Sequence, residues 1–317
     1  MATPTNAVST VQMNGKREDL IDIIYNIDPY DTPFMTAVGK GTATALTHEW
    51  QTDELRDPKK NVRIEGEDAT IKPGSFTTVL NNYCQISDET LQVTGTANAI
   101  KTAGRAKELA YQLSKKSKEI KLDIEYALVG APQAKVQRNS TTPGQMGNIF
   151  AYYKSNGSLG ANGVAPVGDG TDTGTDGDLR LLTEDMLLNA SEAIWRSGGN
   201  ANSIMTSSSI KKAISKNMKG RATEVQLNAS DNTIAVAVDV YETDFGKYTI
   251  SANRWFDPNT LFIYDPKMHS LCYLRPFFQQ ELAKTGDSEK HQLLTEYTFR
   301  VNNEKSGALI RNLVAQL

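Results

Sequence analysis

Across residues 97–130, up to the stop at Gly130-Ala131-Pro132, the apolar residues Leu109, Leu113, Ile120, Ile124 and Leu128 recur at steps of four and seven. That spacing predicts one face of a single long amphipathic helix. At 1.5 Å per residue it would be about 50 Å long, the length of a strut rather than of a packing helix in a small domain. Its other side carries Arg105, Lys107, Lys115, Lys116, Lys118 and Lys121, interrupted by Glu108, Glu119, Asp123 and Glu125. A solvated face and a nucleic-acid contact are the two uses open to such a side. Over all 317 residues, 34 Lys and Arg stand against 37 Asp and Glu, a net charge of −3, so the chain as a whole has no field that would draw it to a polyanion.

What flanks the helix is of a different kind. Residues 43–52 and 76–93 alternate Thr, Val, Tyr, Trp and Leu as strands do, and a long polar connection joins them. The connection is basic first (Arg56, Lys59, Lys60, Arg63) and acidic after (Glu65, Glu67, Asp68), with little to bury, and is expected to project from the body. Ahead of it lie a loose arm and a short apolar cluster at 20–25, which Asp28-Pro29 and Asp31-Thr32-Pro33 stop. After the helix, 154–178 is rich in Gly, Asp, Asn and Thr and reads as a mobile surface loop. A helix capped by Thr183, a strand at 203–205 and a helix at 207–218 follow. Strands are expected at 234–240, 247–252, 261–264, 270–274 and 293–301, and the class is α+β.

Reactive chemistry finds no foothold. His48-Glu49 lacks a second His at Thr52, Gly39-Lys40-Gly41 lacks the first glycine and the hydroxyl of a phosphate loop, and Asp172 to Asp178 has Gly174 and Thr183 where a calcium loop needs ligands. No catalytic, cofactor-binding or metal-binding residue is assigned, no cofactor is implied, and the chain is read as not an enzyme. Cys84 and Cys272, in apolar strand-like surroundings, are expected as free thiols packed in the core of a protein kept in a cytoplasm. Trp195 and Trp255 are expected as core or interface anchors. No run is long and apolar enough to span a bilayer, so no membrane partner is expected.

Several stretches carry a more specific signal. Leu274-Arg275-Pro276-Phe277, the segment from Glu281 to Lys290, Glu296-Tyr297-Thr298 and Asn303-Glu304-Lys305 resemble the end of the tailed-bacteriophage major head (capsid) proteins. Thr32-Pro33-Phe34-Met35, Gly39-Lys40-Gly41, His48-Glu49-Trp50-Gln51-Thr52-Asp53, Val238-Asp239-Val240-Tyr241 and Asp244-Phe245-Gly246 resemble earlier parts of the same family. The resemblance implies the Hong Kong 97 fold: an N-terminal arm at 1–40, an extended hairpin loop at 41–95, a peripheral domain at 96–180 and 267–317 with its spine helix at about 97–130, and an axial domain at 181–266.

It further implies a subunit that self-assembles as hexamers and pentamers into the icosahedral head around double-stranded DNA, assembled in the bacterial host cytoplasm and resident in the virion. The implied partners are other copies of the chain, a separate scaffolding protein, a portal, the packaged DNA through weak nonspecific contact, and a decoration protein. Isopeptide cross-linking through Lys59, Lys60 or Lys72 is not carried over, because no matching catalytic motif is present. The candidate interface comprises Arg56, Lys59, Lys60, Arg63, Glu65 and Glu67 on the loop, and Arg275, Glu281, Lys284, Asp287, Glu289 and Lys290 near the chain's end. The second set either registers partners by ion pairs or decorates a solvated hairpin turn at Thr285-Gly286-Asp287.

Overall fold

The computed structural model describes residues 29–69, 71, 74, 76–101, 107–217 and 239–314. The cluster at 20–25, the arm ahead of residue 29, Lys72, Arg105 and the 234–238 part of a predicted strand lie outside the described residues.

In chain order the elements are α1 (Pro33–Ala37), β1 (Gly39–Thr42), β2 (Thr47–Thr52), β3 (Thr78–Tyr83), β4 (Gln85–Thr94), α2 (Gly95–Ala99), α3 (Glu108–Val129) and α4 (Ile149–Tyr152). There follow β5 (Arg180–Leu181), α5 (Glu184–Arg196), β6 (Ser203–Thr206), α6 (Ser208–Asn217), β7 (Val240–Thr243), β8 (Gly246–Ala252), β9 (Leu261–Tyr264), β10 (His269–Leu282), β11 (Ser288–Val301), β12 (Ala308–Ile310) and β13 (Leu313–Val314). Two sheets organise the body. One has the order β1-β10-β11-β4, with β1 parallel to β10 and the rest antiparallel; the other has the order β12-β9-β6-β8-β7, with only β6 and β8 parallel.

The long helix is shorter than its spacing predicted. α2 is a separate turn, and Ile100 (φ −72°, ψ 137°) and Lys107 (φ −144°, ψ 132°) are both extended, so α3 starts at Glu108. Its 22 residues span about 33 Å. The apolar register begins only at Leu109, and before it Thr96, Asn98, Thr102 and Gly104 are weak helix formers. Ile120, Ile124 and Leu128, at steps of four, bury the face that the pattern marked. Thr183 holds the N-cap position of α5 in extended backbone, although its side chain makes no capping bond. The predicted strand pieces at 270–274 and 293–301 are parts of two fourteen-residue strands, which turn at Gly286 with φ +90°.

Two hydrophobic cores lie on opposite faces of the five-stranded sheet. On one face Met205, Phe262, Tyr264 and Leu309 join Phe34, Ile120, Ile124, Leu128, Phe150 and Phe299. On the other face Ile204, Leu261, Ile263, Ala308 and Ile310 join Leu187, Ile194, Ile210, Ile214 and Ile250. β9 is buried along its whole length, and its alternate residues feed alternate cores. β12, which the sequence reading grouped with the spine, is a strand of this sheet through its pairing with β9.

The 154–178 segment is packed, which corrects the expectation of a mobile surface loop. Val164 bridges Thr175 and Ser158 bridges Ile310. Arg311, 3% exposed, donates to Thr173 O at 2.6 Å and to Asp176 Oδ1 at 2.8 Å. Glycines hide this in the sequence, because they allow backbone to lie on backbone without apolar side chains to announce a core.

Glu125, fully buried on α3, ties three parts together. Phe34 N–H donates to its Oε1 at 2.8 Å, Met35 N–H to its Oε2 at 2.7 Å, and Asn253 Nδ2 to Oε1 at 2.6 Å. Burial pushes its carboxyl above the ordinary value, and the three donors pull it part of the way back. Phe34, held in this way, inserts among Tyr264, His269 and Phe299 at ring-centre distances of 5.5 to 6.0 Å.

His269 is fully buried, with Nδ1 2.9 Å from Asp265 O and Nε2 2.7 Å from the Tyr153 hydroxyl. Burial lowers its pKa to about 4. Above the ordinary pKa of about 6.5 the imidazole is neutral in both folded and unfolded chains; below it the unfolded chain takes the proton first, so stability falls with falling pH down to about 4. At pH 5 this amounts to about 2 kcal/mol relative to pH 7, read as a lower urea midpoint; His269→Gln should flatten that limb.

Candidate assembly interface

β2 and β3 pair antiparallel from Thr47↔Tyr83 to Thr52↔Thr78, and the connection between them is exposed, as its polar composition led one to expect. Every described residue from Asp53 to Val79 is exposed. What holds the loop is local. Arg56 Nη1 donates to Asp57 O at 2.9 Å, Arg63 Nη1 to Asp68 O at 3.2 Å, and Glu67 N–H to Ile64 O at 3.2 Å to close a turn whose Gly66 has φ +80°. Lys305 anchors the base by pairing with Glu54 at 2.7 Å. Lys59 and Lys60 stand in solvent on the outgoing limb, and Glu65 and Glu67 stand at the turn.

The charged residues were visible in the sequence, but the apolar ones among them were missed. Leu55 is 98% exposed, Val62 74%, Ile64 80%, Ile71 100% and Phe76 95%. Covering a side chain of this size is worth about 1.5–3 kcal/mol, so five of them on one projecting loop are a strong reason for it to meet a second surface. Their signal was the recurrence of single large apolar residues in a segment with no core to join.

The charges at the chain's end divide into two groups. Near the β10–β11 turn, Lys284 lies 3.8 Å from Glu281 and 3.5 Å from Glu289, while Lys290 donates to the Thr285 hydroxyl and Asp287 O accepts from Gly95 N–H. These exposed pairs contribute under about 1 kcal/mol each to the fold. Arg275 stands apart: its Nε meets Glu296 Oε2 at 2.8 Å, and Arg138 Nη2 meets Oε1 of the same carboxylate at 2.7 Å. Glu296, 3% exposed, and Arg138 were not among the sequence candidates. Alternation did not mark Glu296, which falls on the side of the strand that carries Thr298 and Arg300, while in the fold Thr295 to Phe299 are all buried.

On α3, Lys116 pairs with Glu89 at 2.9 Å and Glu119 at 2.7 Å, Lys115 lies 3.9 Å from Glu119, and Lys118 sits 4.8 Å from the centre of the Tyr30 ring. Lys115, Lys116 and Lys118 are thus engaged inside the chain. Cys84 and Cys272 are buried free thiols that share a small cluster with Ala43. Burial first, then the nearby Glu296 carboxylate, pushes the Cys84 thiol up to about 11. Trp255 is half-buried, whereas Trp195 is 61% exposed and meets Phe245 at a ring-centre distance of 5.8 Å, outside either core. No described helix is long and apolar enough to cross a membrane.

Comparison with known proteins agrees over nearly the whole chain. Residues 3–314 match the model of the family described as SU10 major capsid protein. The major capsid protein of Escherichia phage Phieco32 is 28% identical over 353 aligned residues, covering 98% of this chain and 97% of that one. Among solved structures, the capsid of cyanophage A-1(L) superposes with a TM-score of 0.66 at 11% identity over 94% of this chain and 97% of that one. A chain from Gordonia phage Cozz gives 0.60 at 11% identity over 95% and 92%.

Proposed function

The chain belongs to the family of SU10 major capsid proteins, and on that premise we propose how this subunit closes its shell. It is the major capsid protein of a tailed phage, with the Hong Kong 97 fold, and it builds the icosahedral capsid. Its copies gather as hexamers and pentamers, with the 53–77 loop of each laid across an adjacent copy. The carrying observation is the contrast within the chain: two closed cores in the body, against a loop on which Leu55, Val62, Ile64, Ile71 and Phe76 all face solvent. A shell supplies what a single subunit lacks, a neighbour's surface repeated at every contact.

In the same reading, 1–40 is an arm that ties neighbours, and the five-stranded sheet with α5 and α6 forms an axial domain over 181–266, to which β12 returns. α3 and the β1-β10-β11-β4 sheet form the peripheral domain. The charges around the β10–β11 turn register adjacent subunits, since they add little to the fold of one. Assembly takes place in the host cytoplasm with a scaffolding protein and a portal as partners. The packaged DNA is met weakly and without sequence preference, and a decoration protein is a further partner on the outer surface.

The test is to express the chain alone and with any neighbouring scaffold gene, and to follow particle mass by light scattering and shape by negative-stain electron microscopy. Closed shells, or rings of five and six, are expected. A variant with Leu55→Ser, Val62→Ser and Phe76→Ser should melt within about 2 °C of the parent, because exposed sites carry little fold energy, yet lose at least about ten-fold in shell yield. Full shell yield from that variant would remove the loop from the assembly contact, and persistent monomers of the unaltered chain even with scaffold would overturn the assembly reading.

A further inference from the structure

A cleft of about 400 Å³ opens between α1, α3 and β10. Met35, Tyr273, Pro276 and Phe277 give it apolar walls, and Lys40 and Lys121 stand in its lining as cations. Neither lysine has an acidic partner among the described residues, and no described residue of the 53–77 loop lines the cleft. An occupant that fits must bring an apolar group with negative charge beside it, so that the walls are covered and the ammonium groups neutralised together.

The five exposed apolar residues of the loop can be sorted by that requirement. Leu55 lies between Glu54, already paired with Lys305, and Arg56; Val62 adjoins Arg63; Ile71 precedes Lys72; and Phe76 sits between Ser75 and Thr77. Ile64 alone is followed by acids, Glu65, Glu67 and Asp68, and Arg63 on its other side is turned to Asp68 O at 3.2 Å. Glu65 and Glu67 have no cationic partner among the described residues, and the bond from Glu67 N–H to Ile64 O at 3.2 Å holds Ile64 and the acids on one turn. That turn is twelve residues beyond the end of β2, a reach of up to about 40 Å from the body.

We propose that the 64–68 turn of one copy seats in the α1–α3–β10 cleft of a neighbouring copy, with Ile64 against Met35 and Phe277 and with Glu65 and Glu67 facing Lys40 and Lys121. This rests on the loop-to-neighbour reading above and assigns the receiving surface. The contact couples the loop to the segment where the arm enters the body, so that one subunit's loop clasps another at the root of its arm. Ion pairs across such a contact set register and reject misdocked copies, while the apolar insertion supplies the burial.

Two measurements on full-length protein test it. Lys40→Glu with Lys121→Glu places like charges opposite Glu65 and Glu67 and should cut shell yield at least about ten-fold; adding Glu65→Lys and Glu67→Lys should restore it. Separately, Ile64→Cys with Phe277→Cys in one chain should give, after oxidation of assembled shells, a ladder of cross-linked subunits on a non-reducing denaturing gel. Each single-cysteine variant should give none, since Cys84 and Cys272 are buried. Shells that form normally, tolerate the Lys→Glu pair and yield no ladder overturn this assignment and leave the assembly reading standing. A Lys→Glu loss that charge exchange does not rescue, together with no ladder, overturns it too. If the unaltered chain forms no shells, it is the assembly reading that fails.

Discussion

Replacing Glu125 with Ala should cost about 3–5 kcal/mol of stability, a large share of what a domain possesses. The carboxylate accepts from Phe34 N–H, Met35 N–H and Asn253 Nδ2, all in the interior. Alanine would leave three buried donors with no acceptor, each costing about 1–3 kcal/mol, and a void where the side chain stood. Partial solvation brings the sum toward the lower end. Glu125→Gln keeps the shape but offers only one acceptor oxygen, so it should lose less and still melt below the parent. Denaturant unfolding of the subunit before assembly reads both. A Glu125→Ala midpoint equal to the parent's would mean that the three donors find other acceptors. Because α1 is held through this carboxylate, the alanine variant should also release Phe34 from its aromatic nest, visible as faster amide exchange at Phe34 and Met35.

Gly160→Ala should cost more than about 3 kcal/mol and lower the yield of folded subunit. A methyl at Gly160 would strike the carbonyl oxygen of Asp178, with Asp178 C and N within 3.0 Å, and these are backbone atoms that cannot rotate away. Gly66→Ala supplies the comparison: Gly66, unlike Gly160, has a positive φ (+80°), but nothing lies within 4 Å of the added methyl. Its cost should stay near that of a strained turn, about 1–2 kcal/mol. Equal melting temperatures for the two variants would mean that the 154–178 segment yields to the added methyl as easily as the solvent-exposed turn does.

Periodicity made α3, α5, α6 and the strand pair β2–β3 legible, because each buries one face at its own repeat: Ile120, Ile124 and Leu128 on α3, Leu187, Ala190 and Ile194 on α5. It failed where structure rests on backbone contact rather than on side chains, as in the glycine-rich 154–178 segment. It failed also where strands outrun their apolar part: β10 is buried only from His269 to Cys272, and its remaining residues are paired but largely exposed. The family resemblance rested on short motifs and was right for the whole chain. The candidate interface was half legible. Charges on the loop and the terminal hairpin stood out by composition, whereas the exposed apolar residues between them looked like ordinary members of a globular sequence. Glu296 and Arg138, 158 residues apart, could be joined only by the fold.

β9 gives the subunit a mechanical character of its own. Leu261 and Ile263 belong to one core and Phe262 and Tyr264 to the other, so four consecutive residues form a single wall with a load on each side. A hinge between the halves would have to crease that wall and open both cores at once, an expensive route. The body of the subunit is therefore stiff, and its give lies at the exposed loop between β2 and β3 and at the exposed β10–β11 turn.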